Sequence, residues 1–191
     1  APIYVQEAYA VKKYAFVSDY VRLWALEQYG GLYMDVDFEV YKSFDDLMGY
    51  NAFAGYEGSK RQPIMMGVIA AKAHHLWIQE MIATYTNRRF IMPNTMFDMT
   101  PNTGYFLQWM QERGFVADGK EKDFMDVHIF PVEYFCPIQT TGEDFTCEHT
   151  YCEHKGLHSW SGNGGWKGKI LSIIGTKWKI KLIKLKRKIF D

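Results

Sequence analysis

The chain has 191 residues, of which 17% are aromatic, and its 22 basic and 22 acidic side chains give a formal net charge of zero. This length is sufficient for one domain with a buried core. No uninterrupted apolar run reaches membrane-spanning length, and no signal peptide is recognisable. Three cysteines are an odd number that forms no disulfide framework, so the composition favours a small domain in a reducing cytoplasm.

A helix is predicted over residues 15–29, and the pair Gly30-Gly31 is expected to end it in a left-handed conformation. Ser18 or Asp19 can cap the amide groups of this helix. Asp19 and Arg22 are three residues apart and therefore neighbours on one helix face. This pair is either a structural ion pair or part of a site, and the helix pattern leaves both interpretations open.

A strand is predicted to follow the glycines and to lead into Asp35-Val36-Asp37. Residues i and i+2 of a strand point to the same face, so the two carboxylates are expected to project together. Two acids on one face repel each other unless a cation lies between them. Mg²⁺ and Mn²⁺ prefer carboxylate and phosphate oxygens, so the triplet is either a metal site or a solvated strand end.

The middle of the chain reads mainly as scaffold. We predict that His74-His75 lies at the surface and that Asn102 belongs to a turn, where it is either a turn-forming residue or a sugar contact. The predicted elements are a buried strand at 64–71, a helix at 76–85, a turn at 99–104 and a helix at 105–112.

A cluster of two cysteines and two histidines follows, at Cys147, His149, Cys152 and His154. Structural zinc sites usually combine close ligand pairs that are separated by a longer loop. If this segment is a strand, the first Cys/His pair faces one side and the second pair faces the other. The spacing therefore argues against zinc, although a zinc module stays open as an alternative.

Several motifs occur in the order found in the DXD-containing sugar transferases. They are Ser18-Asp19-x-x-Arg22, Tyr29-Gly30-Gly31-x-Tyr33-x-Asp35-x-Asp37, residues 51–57, residues 129–137, and residues 149–154 followed by Ser159-Trp160. More narrowly, the chain resembles bacterial capsular-polysaccharide relatives of the fungal initiating α-1,6-mannosyltransferase, glycosyltransferase family 32. The resemblance runs from about Val5 to Trp160.

The resemblance implies an α/β fold of the GT-A-like, Rossmann type used by nucleotide-diphospho-sugar transferases. The chain begins just upstream of the first motif, so we expect this fold without its opening strand and helix. The implied activity is retaining transfer of a sugar from a nucleotide-sugar donor to a saccharide or lipid-linked acceptor, in capsular or surface polysaccharide synthesis. A divalent cation, Mn²⁺ or Mg²⁺, is the implied cofactor.

Residue roles also follow from the resemblance. The implied metal ligands are Asp35, Asp37 and His154, with Asp37 as the direct ligand. The predicted catalytic residues are Asp19, Arg22, Asp35 and Asp37, and the predicted substrate-binding residues are Ser18, Tyr33, Asn102, Ser159 and Trp160. Ser159 and Trp160 are expected on a glycine-flanked closing loop.

Two functions of other classes compete with this interpretation. One is a phosphohydrolase that uses Asp35 as its nucleophile, although Glu39-Val40 and the glycine pair before the strand fit that class poorly. The other is a non-catalytic zinc or membrane-binding module.

The charge is unevenly distributed between the two parts of the chain. Residues 166–191 carry nine Lys or Arg and one Asp, a net charge of +8, whereas residues 1–165 have a net charge of −8. Lysines interleaved with apolar residues are typical of a helix on an anionic membrane surface. A helix packed on the domain and a nucleic-acid patch are alternatives. We predict a catalytic domain at 1–165 and a membrane-surface or packed helix at 166–191. The expected location is the inner face of the plasma membrane, with no nucleic-acid partner.

Overall fold

Two small β-sheets and five α-helices form the described part of the protein. The computed structural model describes residues 1–58, 64–139 and 141–155. The helices are α1 (Ile3–Ala10), α2 (Tyr14–Tyr29), α3 (Leu76–Ala83), α4 (Asn102–Gln111) and α5 (Val132–Phe135), with a 3₁₀ turn at Asp45–Leu47. The strands are β1 (Gly31–Met34), β2 (Phe38–Val40), β3 (Ala52–Tyr56), β4 (Ile64–Ala71), β5 (Lys122–Phe124), β6 (Val127–Phe130) and β7 (Cys152–His154).

The larger sheet has five strands in the order β1-β4-β3-β6-β5, and the smaller sheet pairs β2 with β7. β4 is antiparallel to both of its neighbours, β1 and β3, while β3 is parallel to β6. β1, β3 and β6 therefore run in the same direction, and their carboxyl ends lie at one edge of the sheet. In mixed α/β proteins such an edge is the usual place for polar groups that meet a ligand.

The hydrophobic core lies around the central strands, because β3, β4 and β6 are buried along their whole length. The continuous apolar run of β4 is the pattern expected of a strand that is covered on both faces. Helices α2 and α4 contact β4, and α5 contacts β3 and β7. The predicted mixed α/β class is confirmed, as are the strand at 64–71 and the helix that begins at residue 76. The GT-A-like assignment stays a prediction.

Some local predictions are wrong. Helix α2 begins at Tyr14 and has no side-chain cap, so neither Ser18 nor Asp19 caps it. The strand β1 ends at Met34, which leaves Asp35-Val36-Asp37 in a turn closed by the amide of Phe38 on the carbonyl of Asp35 at 3.3 Å. The period-2 argument for the two carboxylates therefore does not apply, since it requires an extended backbone.

Two further differences concern histidine and helix positions. His75 is buried, because it caps α3 by accepting a hydrogen bond from the amide of Trp77 at 3.2 Å, whereas His74 is exposed as predicted. Helix α4 begins at Asn102, three residues before its predicted start, and α1 was not predicted. Within the described ranges, every helix is too short or too polar to cross a lipid bilayer.

Candidate functional site

The turn between α2 and β1 directs the acidic segment toward the sheet edge. Gly30 has φ of 63°, and a Cβ atom at this position would lie 2.6 Å from the backbone nitrogen of Ala73. The glycine pair ends α2 as predicted, because both glycines have positive φ, and at Gly30 a side chain would also collide with the chain beyond β4. At the other end of β1, the amide of Asp35 donates to the carbonyl of Gly67 at 2.8 Å, which holds Asp35 against β4.

A buried arginine joins the helix to the acidic segment. The Arg22 side chain is 7% exposed, and its Nη1 donates to the carbonyl of Met66 at 2.5 Å. Its Nη2 contacts Asp19 Oδ1 at 3.0 Å and Asp35 Oδ1 at 3.4 Å. One guanidinium therefore connects the Ser-Asp-x-x-Arg motif to the first acid of the DXD motif, an arrangement that suits the planar fork of arginine.

Asp19 is the more deeply placed of the two acids that Arg22 contacts, with a side chain that is 16% exposed. Burial raises the pKa of Asp19 from 3.8 to about 6, Arg22 opposes this shift, and the charge of Asp35 adds to it. Both carboxylates contact the same guanidinium nitrogen, so they share one local environment.

Tyr33 holds Asp35 from the other side. Its hydroxyl donates to Asp35 Oδ1 at 2.6 Å, and the Cζ atom of Arg22 lies 4.7 Å from the centre of its ring. Burial and this hydrogen bond raise the pKa of the Tyr33 phenol, so the hydroxyl keeps its proton and remains a donor. The orientation of Asp35 is thus set by its backbone, by Arg22 and by Tyr33.

The second acid of the motif, Asp37, contacts a different group of residues. We call Asp35 with Arg22 and Tyr33 the first arm of the site, and Asp37 with Phe38 and His154 the second arm. Asp37 Oδ2 lies 3.2 Å from Nε2 of His154, across the β2–β7 sheet, and the amide of Lys155 donates to the carbonyl of Asp37 at 2.8 Å. The His154 ring stacks on Phe38 with centroids 4.7 Å apart and planes at 17°. Burial lowers the pKa of His154, but the hydrogen bond and charge of Asp37, with Glu57 and Asp35, outweigh it, so the pKa is raised.

Glu57 is a site residue that motif reasoning missed as a functional group. It directly follows β3, whose carboxyl end lies at the same sheet edge as that of β1. Burial raises its pKa; the charges of His154 and Arg22 oppose this shift, while that of Asp35 adds to it. The signal available in the sequence was its position, one residue beyond an apolar strand in a segment already assigned to the family motif.

The donor types at this edge fit a divalent cation. Asp37 contacts His154, and the charges of Glu57 and Asp35 also act on the His154 imidazole. Mg²⁺ and Mn²⁺ take carboxylate oxygens readily. Across the described residues, no three His, Cys, Asp or Glu side chains are already arranged as a metal-binding group.

The remaining predicted site residues are distributed as follows. The Ser18 hydroxyl donates to the carbonyl of Ala15 at 2.7 Å, inside helix α2. Asn102 is buried at the start of α4, and its amide nitrogen has no hydrogen-bond partner in the part of the chain that the structure describes. Ser159 and Trp160 lie outside the described residues, as does the segment 166–191.

The cysteine and histidine residues at 147–154 have separate environments. Cys147 is exposed, whereas Cys152 is buried with its thiol 3.6 Å from the carbonyl of Phe135. His149 stacks on Tyr134, and only Cys152 and His154 of this cluster lie on a strand.

Among the comparisons with known proteins, a family match includes the acidic motif. Residues 2–54 match a family described as a glycosyltransferase sugar-binding region containing a DXD motif. An alignment over 83 positions, which covers 39% of this chain, shows 31% identity to Glucan organizing enzyme 1 of Cryptococcus neoformans var. grubii serotype A. This alignment covers 23% of that relative, so the chain spans only a fraction of its length. No solved structure matches the chain.

The family match contains both acids of the DXD motif and the Asp19–Arg22 pair. Asp19, Arg22, Asp35 and Asp37 all lie within residues 2–54, whereas Glu57 and His154 lie beyond them. These findings support a glycosyltransferase of the DXD type.

Proposed function

We propose that this chain is a metal-dependent, retaining glycosyltransferase that moves a sugar from a nucleotide-sugar donor to a saccharide or lipid-linked saccharide. The observation that carries the proposal is the Arg22 side chain, which bridges Asp19 and Asp35 from a buried position. We further propose a GT-A-like fold, membership of glycosyltransferase family 32, and a role in capsular or surface polysaccharide synthesis. The similarity to a protein named for organising glucan supports a carbohydrate substrate.

The chemistry of the reaction explains why these side chains are needed. When the bond between the sugar and the nucleoside diphosphate breaks, negative charge grows on the bridging phosphate oxygen, and a bound divalent cation would offset that charge. Asp37 and His154 would hold the cation, with Asp35 contacting it through water or binding hydroxyl groups of the donor. Arg22 and Tyr33 keep Asp35 oriented, and the Asp19 carboxylate accepts hydrogen bonds from sugar hydroxyls.

Titration calorimetry tests this function directly. We expect wild-type protein to bind a nucleoside diphosphate only when Mn²⁺ or Mg²⁺ is present. Asp37→Asn should abolish the metal-dependent binding of nucleoside diphosphate, because it removes the negative charge of the proposed direct ligand. Glu112→Gln is the matched control, since it neutralises an exposed carboxylate whose side chain contacts Gln108.

The opposite outcomes are equally clear. Binding that is equally tight with and without metal, or no binding at millimolar nucleoside diphosphate, contradicts the proposal. A screen of nucleotide sugars by thermal shift, with and without Mn²⁺, then identifies the donor.

We also propose that the basic segment 166–191 attaches the enzyme peripherally to the cytoplasmic face of the plasma membrane. Its net charge of +8 and its interleaved apolar residues support this location, since each lysine near an anionic surface is worth about 1 kcal/mol. A lipid-linked acceptor would be presented at the same surface.

A further inference from the structure

Gly67 lies at the meeting point of the two arms of the candidate site. It occupies the interior of β4, and a Cβ atom built there would lie 2.8 Å and 3.0 Å from two carbons of the Phe38 ring. The same atom would lie 3.1 Å from Asp35 Oδ2. The backbone of Gly67 is not in the left-handed region, so an L-residue can adopt it. Glycine is therefore required here for space and not for conformation.

The two side chains that approach Gly67 belong to different arms: Asp35 to the first arm and Phe38 to the second. Asp35 is bound to Arg22 and Tyr33. Phe38 stacks on His154, which in turn contacts Asp37. A methyl group at position 67 would displace both arms at once, because it would enter the gap that they share.

The backbone around Gly67 holds the same groups. Its carbonyl accepts the hydrogen bond from the amide of Asp35, and the preceding carbonyl, that of Met66, accepts from Arg22. This segment of β4 thus contacts both arms. Its carbonyls accept hydrogen bonds from the first arm, and the Phe38 ring of the second arm packs against Gly67.

We propose that Gly67 is a positioning residue of the transferase site, whose missing side chain allows the Asp35 arm and the Phe38–His154 arm to close on each other. The inference rests on the proposed function, and it adds a determinant of site geometry in a strand that lies beyond the family match. Gly67 itself contacts neither donor nor cation; it acts through Asp35 and Phe38.

The chain offers a matched control for a merely structural role. Gly55 lies in the adjacent strand β3, and a Cβ atom there would lie 2.6 Å from Cδ2 of Phe135, an aromatic ring in the core. Gly55→Ala therefore creates a similar clash against an aromatic ring in the same sheet. Both alanine variants should be less stable than wild type, but only Gly67→Ala should alter the site.

The first measurement is the NMR spectrum of the His154 ring protons, assigned by comparison with His154→Gln. The stacked Phe38 ring shifts these protons, so movement of the ring changes their resonance positions. We expect displaced His154 resonances in Gly67→Ala and wild-type resonances in folded Gly55→Ala. Unchanged resonances in Gly67→Ala would overturn the inference, whatever the enzyme binds.

The second measurement is calorimetric binding of nucleoside diphosphate in the presence of Mn²⁺. Gly67→Ala should weaken binding at least about ten-fold, whereas folded Gly55→Ala should bind within about three-fold of wild type. The double variant Gly67→Ala/Phe38→Leu should recover part of the loss, because the smaller side chain relieves the clash. Such non-additivity is expected only of groups in contact.

The outcomes separate the two proposals. If wild type binds nucleoside diphosphate and Gly67→Ala binds it equally tightly, the inference is overturned but the proposed function stands. The same holds if Gly55→Ala weakens binding as much as Gly67→Ala does. If wild type binds no nucleoside diphosphate, the proposed function fails and the NMR comparison alone decides whether Gly67 positions the ring pair. Should Gly67→Ala not fold, recovery of folding in the double variant supports the steric coupling, and failure of the double variant to fold refutes it.

Discussion

At the scale of single residues, the site is a group of partly buried carboxylates, and two of them share the positive charge of Arg22. Asp19 is the clearest case, because its side chain is 16% exposed and contacts Arg22, which Asp35 shares. Keeping an acid in such a place costs stability whenever the acid is ionised. The protein accepts this cost at a position where a substrate hydroxyl would find a strong acceptor.

The raised pKa of Asp19 predicts a specific pH dependence of stability. The folded state retains this proton up to about pH 6, whereas the unfolded chain loses it near 3.8. The associated stability is therefore fully present below pH 3.8 and is lost as the pH rises through about 6. We expect Asp19→Asn to remove a decline of about 2 kcal/mol between pH 4 and 7, measured by urea unfolding at both values. A decline that is identical in wild type and variant would refute this role for Asp19.

Glu57 makes a second prediction at this scale. Its charge helps to raise the pKa of His154, so Glu57→Gln should lower that pKa while leaving the Asp37 contact in place. An NMR titration of the His154 ring protons measures the change, with Glu112→Gln as the control. We also expect weaker Mn²⁺-dependent nucleotide binding. An unshifted His154 titration would place Glu57 outside the site.

At the scale of elements, α2, the glycine turn and β1 act as one unit that aims the DXD motif. At Gly30 there is no space for a side chain, because it would meet the backbone of Ala73. At Gly31 there is space, because a Cβ atom would meet nothing within 4 Å. Both glycines have positive φ values, of 63° and 102°. Any other residue would therefore be strained at both positions, but it would collide with neighbouring atoms only at Gly30 of the two.

This difference gives a prediction with an internal control. Gly31→Ala should cost about 1–2 kcal/mol in unfolding free energy, from backbone strain alone. Gly30→Ala should cost clearly more, because its neighbours are backbone atoms that a rotamer change cannot move. Urea unfolding of both variants measures the comparison, and equal losses would show that the close approach to Ala73 is unimportant.

At the scale of the whole molecule, the site exists because strand direction gathers distant segments at one edge. β1 and β3 end at the same edge of the larger sheet, which brings Asp35 and Glu57 together. The β2–β7 pairing adds His154, which is 117 residues from Asp37 along the chain. The charge distribution is also a property of the whole chain, because residues 1–165 have a net charge of −8 and residues 166–191 a net charge of +8.

The basic segment yields a prediction about membrane association. The full chain should sediment with vesicles that contain anionic lipid, and a chain ending at residue 165 should remain in the supernatant. Raising the salt concentration should release most of the bound protein, because screening weakens surface attraction over the Debye length. Neutral vesicles serve as the control. Binding of the shortened chain to anionic vesicles would contradict this role for residues 166–191.

The sequence by itself determined the features that depend on neighbouring residues. Apolar runs specified β4, the glycine pair specified the end of α2, and the three-residue spacing specified the Asp19–Arg22 pair. These predictions succeed because helix ends, turns and single-strand patterns are governed by local conformational preferences. The same local reasoning was wrong where it assumed that Asp35 and Asp37 lie on a strand, since β1 ends one residue earlier.

Only the tertiary structure decided which groups meet at the site. Glu57 joined it because β3 runs in the same direction as β1, and Gly67 became a determinant because the pairing of β4 with β1 places it against Asp35 and Phe38. His75, expected at the surface, is buried as the cap of α3. Such facts depend on strand register and on contacts between residues far apart in the chain, which no short stretch of sequence encodes.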